Sequence, residues 1–317
     1  MSLAAADVLG HVVAVSASMR ELLEMATKVA QARSPVLVEG ESGSGKDLLA
    51  HWLHYKGPRR DGPFLKIHCP SIPEDLLESE LFGHERGAFT DARQAKAGKI
   101  ELAEGGTLFF DQIEDLSLPL QAKLLRVVEE RRFERLGGTR TIEVDVRFVS
   151  ASTANLRKAV QARTFREDLY HRLGVVPLSV PPLRDRREDI IPLADTFLLR
   201  EREGKGLRAR CFEPETADAL RGYHWPGNVR ELRSAVERAA LVTDADSVPP
   251  SALPAHVRAQ PSTLWVGRER RPSLRDVEQA YIRFVLEQVQ GSQTRAAAVL
   301  GISRKALWEK RRRYGIP

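Results

Sequence analysis

PVLVEGESGSGKD, residues 35–47, decides how the rest of this 317-residue chain is read. The apolar run reads as a short buried strand. The glycines after it break the strand into a turn, and a helix is expected from about Lys46. Residues 40–47 thus fit G-x-x-x-x-G-K between a strand and a helix start. In that setting the pattern has a mechanism. Glycines let backbone N–H groups curl around phosphate oxygens, the helix N-terminus favours the anion, and the lysine reaches the terminal phosphates. Gly40, Glu41, Ser42, Gly43, Ser44, Gly45, Lys46 and Asp47 are therefore the candidate phosphate-binding residues. The alternative is a glycine-rich turn with an incidental lysine. Asp47 stands where a Ser or Thr ordinarily ligates Mg2+.

Outward from this loop, strand and helix patterns alternate. Residues 19–33 place Leu22, Leu23, Ala26, Val29 and Ala30 at helical spacing, with Ser16 or Ser18 as cap. Further strands are expected at FLKIHC (64–69), TLFFDQ (107–112) and VRFVSAS (146–152), and a helix at 118–131. This alternation predicts an α/β fold with a parallel sheet covered on both faces. After VPPLRDR (180–186) the pattern is helical, with no strand expected. The boundaries expected are an α/β nucleotide-binding subdomain over 7–180, a helical lid over 181–246, a proline-rich linker over 247–272 and an all-α segment over 273–317. No internal repeat is visible.

FFDQIED, residues 109–115, delivers Asp111 at the end of a strand, where a carboxylate can hold the Mg2+ of a bound nucleotide. A lone strand-end Asp is more often a cap, and it is the pairing with the phosphate loop that favours the metal role. The next position holds Gln112, and an amide cannot take a proton from water near neutral pH.

Hydrophobic residues at 42% and charged residues at 29% place the chain in the ordinary soluble class. No run reaches the length of a membrane span, and no secretory leader pattern opens the sequence. Cys69 and Cys211 have no metal-ligand spacing, so they read as two reduced thiols of a cytoplasmic protein. The net charge of +6 is uneven: from Arg258 to Pro317 thirteen Lys/Arg face five Asp/Glu, leaving 36 against 38 in the remainder. A basic end on a nearly neutral body points to nucleic acid or to a solvated face. TRAAAVLG reads as a small-residue helix, Gly301-Ile302 as a turn, and Ser303 as the cap of a second helix ending in KRRR. Arg304, Lys305 and Trp308 are expected to face a DNA groove, and Lys310, Arg311, Arg312 and Arg313 to grip phosphates. A cationic helix for another anionic partner is the alternative.

Several longer stretches resemble one family, the AAA+ activators of sigma-54 RNA polymerase (bacterial enhancer-binding proteins). They are GESGSGKD, ESELFGHERGAFTDA (78–92), GGTLFFDQIEDL (105–116), FREDLYHRL (165–173) and WPGNVREL (225–232). GSQTRAAAVLGISRKALWEKRRRYGI (291–316) is similar to the Fis-type helix-turn-helix that ends most members. The resemblance implies ATP and Mg2+ as cofactors, a ring (a hexamer by the family's habit), an upstream DNA site and sigma-54 RNA polymerase as partner. It makes GAFTDA the sigma-54-contacting loop: Gly87, Ala88, Phe89, Thr90, Asp91 and Ala92, with Phe89 and Thr90 as the contact residues. Arg166 and Arg172 match arginines that reach a neighbouring subunit's ATP, and Arg230 matches the second sensor on the lid. Spacing alone would read these three as surface groups. A P-loop helicase or loader would share the phosphate site but not the GAFTDA loop.

Four positions depart from the family pattern. Gln112 replaces the catalytic carboxylate, His68 the asparagine that pairs with it, Ser152-Thr153 the Thr-Asn sensor pair, and Asp91 a glycine. Nucleotide binding is therefore expected to be intact and hydrolysis slow. The alternative function is a nucleotide-binding DNA-binding regulator that acts as a repressor or as partner of an active paralogue. His68 is expected to be buried and hydrogen-bonded, or else to act as the base. With no room for a sensing domain before the nucleotide-binding region, either a separate protein supplies control or the sequence is a piece of a longer chain.

Overall fold

Five parallel strands are described: β1 (Val36–Glu39), β2 (Phe64–His68), β3 (Thr107–Asp111), β4 (Arg147–Ser152) and β5 (Val176–Ser179). They lie in the order β2-β3-β4-β1-β5 in a computed structural model that describes residues 12–89, 92–258, 273–288 and 292–316. Register places His68 opposite Asp111, Asp111 opposite Ala151, and Glu39 opposite Ser152. The chain therefore leaves β1 to β4 along one edge of the sheet, where open α/β sheets bind their ligands.

The two-residue period of a strand explains how both faces are filled. Phe109, Val38, Val149 and Ala151 pack with α1 (Ala17–Ala30) and α2 (Lys46–Tyr55). Leu108, Phe110, Leu37 and Phe148 point the other way, toward α3 (Leu118–Glu130) and α4 (Glu167–Leu173). Ser16 is the α1 cap, its hydroxyl accepting from Met19 N–H. The buried carboxylate of Asp189 in turn accepts from Ser16 N–H, Ser16 Oγ and Val15 N–H at 2.7–2.8 Å. Asp189 stands just before α5 (Ile190–Lys205), which packs on α6 (Asn228–Leu241).

Arg147 opens β4 and is only 2% exposed. Its guanidinium donates to the carbonyls of Val29, Ala30 and Leu53 at 2.7–3.3 Å, at the ends of α1 and α2. Val29 O also accepts from Ala32 N–H just past the helix end, and a cation complements the negative end of each helix dipole. Burial pushes the Arg147 pKa down to about 10.

Two features depart from the sequence reading. Cys211–Phe212 and Ser247–Val248 pair as two short parallel strands in a region where none was expected, and β5 was missed. Two residues are too few to display a period. The expected linker is structured at its start: Leu253 and Val257 are buried, and residues 250–258 pack with the helix Pro214–Gly222. Residues 259–272 of that linker lie outside the described ones.

The chain divides into two compact units, one comprising residues up to Phe212 with His224–Val248, the other Glu213–Tyr223 with residues from Pro249 onward. The second unit includes α7 (Leu274–Gln288), α8 (Gln293–Val299) and α9 (Arg304–Tyr314). Ile282, Val285, Ala296, Ala297, Leu307 and Tyr314 form their shared core.

Replacing Arg147 by Met should remove the guanidinium donor from three buried helix-end carbonyls, of which Val29 O keeps Ala32 N–H. The expected loss is about 2–4 kcal/mol of unfolding free energy, measured by urea denaturation.

Candidate functional site

The phosphate loop leaves β1 and enters α2, and its shape is set by contacts from the turn that precedes α6. Gly43 has φ +73°, and a Cβ there would lie 2.4 Å from the Gly227 carbonyl oxygen, so no side chain fits. Val229 N–H donates to Gly43 O, and the Arg230 guanidinium donates to Ser42 Oγ at 3.1 Å. Asn228, buried and in left-handed backbone at φ +54°, donates to Ser42 O and to Glu41 Oε2, each at 3.1 Å. The Asn228 side-chain oxygen accepts from Leu183 N–H.

Glu41 also takes a two-pronged ion pair from Arg184 at 2.6 and 2.8 Å. The Arg184 hydrogen bonds, with Asn228 adding to them, hold the Glu41 carboxyl down to about 2. The nearly buried Arg186 donates to Ser44 O. Sequence reading found Arg230 but not Arg184, Arg186 or Asn228. Arg184 and Arg186 lie in VPPLRDR and Asn228 in WPGNVREL, and neither run has a spacing that points at the loop.

Lys46 lies across the loop. Its ammonium donates to the carbonyls of Gly40 and Glu41 at 2.8 and 2.9 Å. Burial lowers its pKa, while the charges of Asp111, Glu114 and Asp47 oppose that shift. Beside Gly45 a small, partly open apolar pocket is lined by Val12, Val13, Met19, Leu22, Leu48 and Val229. A flat heteroaromatic ring suits such walls.

At the sheet edge Asp111 ends β3. Its Oδ2 receives Lys66 Nζ at 2.8 Å and His68 Nδ1 at 3.0 Å. Lys66 also bridges to Asp47 at 2.5 Å. Residues 66 and 68 share one side of β2, as a two-residue period requires. The sequence reading missed Lys66. His68 is hydrogen-bonded as expected but not buried, its side chain being 44% exposed.

Gln112 has left-handed backbone, φ 60° and ψ 60°, and its side chain makes no hydrogen bond among the described residues. Two positions further, Glu114 Oε1 receives Thr153 Oγ1 at 2.6 Å, Thr153 N–H at 2.8 Å and Ala154 N–H at 3.1 Å. Ser152 is buried and donates to Ala154 O.

The residues fit both cofactors implied by the phosphate loop. ATP is matched by the glycine cradle and the neighbouring apolar cavity. For Mg2+, Asp111 Oδ1 carries no hydrogen bond among the described residues. Mg2+ characteristically takes one or two carboxylates together with phosphate oxygens and water.

Arg166, Arg172 and Phe89 lie on the surface. Arg166 is exposed and pairs with Asp168 at 2.7 Å; Arg172 is exposed one helix turn and more away, at the end of α4. Within GAFTDA, Gly87 N–H donates to Ala92 O and Ala92 N–H to Phe89 O. Phe89 is exposed, edge-on to His84 with ring centroids 4.9 Å apart. Ala92 is buried, so it shapes the loop rather than presenting itself to a partner, a correction to the expectation for that position. Gly137 packs against Ala88. Thr90 and Asp91 lie outside the described residues.

In the second unit Gly301 takes φ +66°, and Ser303 caps α9, its hydroxyl accepting from Ala306 N–H at 3.1 Å. Ser303, Arg304, Lys305, Trp308 and Arg312 are exposed, with Arg312 stacked 5.6 Å over the Trp308 ring. Lys310 instead pairs with Glu278 of α7, which also accepts from Tyr314 Oη. Arg311 is half-buried. Lys310 and Arg311 are thus less available to an outside anion than Arg312 and Arg313, which are exposed.

Comparison with known proteins agrees with this layout. Residues 12–179 match the sigma-54 interaction domain, 184–265 the AAA+ ATPase lid domain, and 273–314 the bacterial regulatory protein, Fis family. Regulatory protein AtoC of Escherichia coli K12 is 44% identical over 314 residues, covering 97% of this chain and 68% of that protein. Nitrogen fixation protein AnfA of Azotobacter vinelandii is 41% identical, and the match spans 96% of this chain but only 58% of AnfA. The crystal structure of NtrX from Brucella abortus in complex with ADP aligns with a TM-score of 0.74 at 34% identity, covering 98% of this chain and 71% of that one.

Because folding lowers the Glu41 pKa from 4.5 to about 2, its contribution to stability is complete above about pH 4.5 and is lost as pH falls toward 2. Glu41→Gln should be less stable than the parent at pH 7. Denaturation curves across pH should show the gap closing over that acid window.

Proposed function

This chain belongs to the sigma-54-dependent activator family, with an AAA+ domain and a Fis-type helix-turn-helix, and from that premise we propose that it is an ATP-driven regulator of sigma-54 RNA polymerase. One observation carries the reading: the lid turn Gly227–Arg230 is bonded directly to the phosphate loop. Nucleotide phosphates seated on Gly43, Gly45 and Lys46 would meet Arg230 in the same cradle, so the lid would respond to their charge. Asp111, with Asp47 beside it, would hold Mg2+, which neutralises charge on the phosphates when bound. The structures of NtrX in complex with ADP and with ATP support nucleotide binding by this chain.

Arg166 and Arg172 then face outward to serve a neighbouring subunit in a homo-oligomeric ring, a hexamer by the family's habit. A guanidinium supplied in trans stabilises the charge that spreads over a transferring phosphoryl group. The exposed Phe89 is the contact toward sigma-54, and α9 reads an upstream DNA site through Arg304, Lys305 and Trp308. A second reading is favoured by Gln112. Its amide accepts no proton, so the chain would bind nucleotide and DNA while turning ATP over slowly, as a repressor or as partner of an active paralogue.

Two measurements test this reading. Lys46→Ala should weaken ATP binding at least tenfold by calorimetry and remove ATP-dependent association in sedimentation; unchanged affinity would contradict the site. For DNA, Arg304→Ala should alter preference between sequences, whereas Arg312→Ala should weaken all sequences alike and reduce the salt dependence by about one counterion. A chain ending at residue 272 that binds DNA as well as the whole protein would contradict the assignment of α9.

A further inference from the structure

The chemistry of the strand ends contains an imbalance. The position that ordinarily supplies a proton acceptor for water is Gln112, yet a carboxylate stands three residues from Asp111 on the same turn. Glu114 Oε1 is saturated by the two donors of Thr153 and by Ala154 N–H. Its other oxygen, Oε2, is shielded from solvent and makes no hydrogen bond in the described structure. A buried carboxylate oxygen without a donor is costly unless something else comes to use it.

We propose that Glu114, rather than Gln112 or His68, accepts the proton of the water that cleaves ATP, with Thr153 holding its carboxylate in place. The inference rests on the nucleotide-binding reading given above. Three observations support it. Thr153 ends the run from β4, beside the ends of β1 and β3, so Glu114 is fixed at the edge that carries the phosphate loop. Its charge is felt at the Lys46 ammonium, second only to that of Asp111. Burial works to raise its pKa, but the Thr153 hydroxyl and N–H, with the Glu114 N–H and the Ser152 hydroxyl adding to them, more than offset this, and the carboxyl lies below its usual range.

The competing groups are otherwise engaged. His68 Nδ1 is bonded to Asp111 Oδ2, and Gln112 has no basic atom. The charged and titratable groups around Glu114 are Lys46 from α2, Asp115 from its own turn and Cys69 after β2; Cys69 is a thiol pushed up to about 12 and stays protonated.

In the proposed step, the seating of nucleotide opens the shielded Glu114 Oε2 to one water, and Oε2 takes a proton from that water as its oxygen bonds to the γ-phosphorus. The bond from that phosphorus to the bridging oxygen breaks, its electron pair leaves on ADP, and Glu114 then returns the proton to solvent. A carboxylate held below its usual range is a weak base. That suffices, because the transition state of phosphoryl transfer is loose and needs the water oriented more than strongly deprotonated.

The test compares the full chain with Glu114→Gln, Gln112→Glu and His68→Asn. Glu114→Gln keeps an oxygen for Thr153 while removing the charge. It should lower ATP turnover about 100-fold or more, with AMP-PNP affinity within about threefold of the parent. The parent rate should stay level from pH 8 to below the imidazole range near 6.5. If Glu114→Gln fails to fold, Thr153→Val decides: about a tenfold loss of turnover at unchanged AMP-PNP affinity supports the role. Parent-like turnover in Glu114→Gln overturns the inference, as does a rate that follows the imidazole and vanishes in His68→Asn. A parent that binds AMP-PNP but hydrolyses only as Gln112→Glu overturns it while leaving the nucleotide site standing. No AMP-PNP binding by the parent would overturn the nucleotide reading as well.

Discussion

The hydrogen-bonded ion pair between Glu41 and Arg184, with Asn228 as its third member, is the constraint on which the site depends. A glycine-rich loop is chosen for conformational freedom, and freedom costs entropy when the loop must hold one shape. Here that shape is imposed from outside. Glu41 anchors the start of the loop to the segment just before the lid, and Asn228 reaches both Glu41 and the backbone of Ser42. The left-handed backbone at Asn228 is what lets one short side chain satisfy Leu183, Glu41 and Ser42 together. Loop and lid are thereby one mechanical piece.

A second constraint is electrostatic. Three cations, Lys46, Lys66 and Arg230, meet the acids Asp47, Asp111 and Glu114 around the sheet edge. Lys66 occupies Asp111 from one side only, which leaves an oxygen for a hard cation while limiting repulsion between Asp47 and Asp111. Any magnesium ion bound here shares its carboxylate with a lysine. The Thr153–Glu114 contact ties the end of β4 to the turn after β3 through three donors on one oxygen, a rigid link between the strands that flank the site.

The helix-turn-helix shows the same economy at smaller scale. Its core is little more than a layer of Ile282, Val285, Ala296, Ala297 and Leu307, and small residues let α8 approach closely. Glu278 draws both Lys310 and Tyr314 onto α7, taking one basic residue off the exposed face of α9. What remains outward is a compact strip from Ser303 to Arg312.

Much of this was legible in the sequence, because local patterns carry it. The alternation of strand and helix, the phosphate loop, Asp111 at a strand end and the Ser303 cap all follow from residue type at fixed offsets. The family membership came from long stretches in a set order. Tertiary structure decided the rest, for a physical reason: a side chain whose partner lies well beyond a helix turn or strand repeat along the chain leaves no period in the sequence. Arg184 on Glu41, Arg147 across two helix ends, Lys66 between Asp47 and Asp111, and Lys310 turned back onto Glu278 are all of this kind. So is Glu114: as a residue in a polar turn it looks like a solvated acid, and only the pairing of Thr153 with one of its oxygens reveals that the other is buried without a partner.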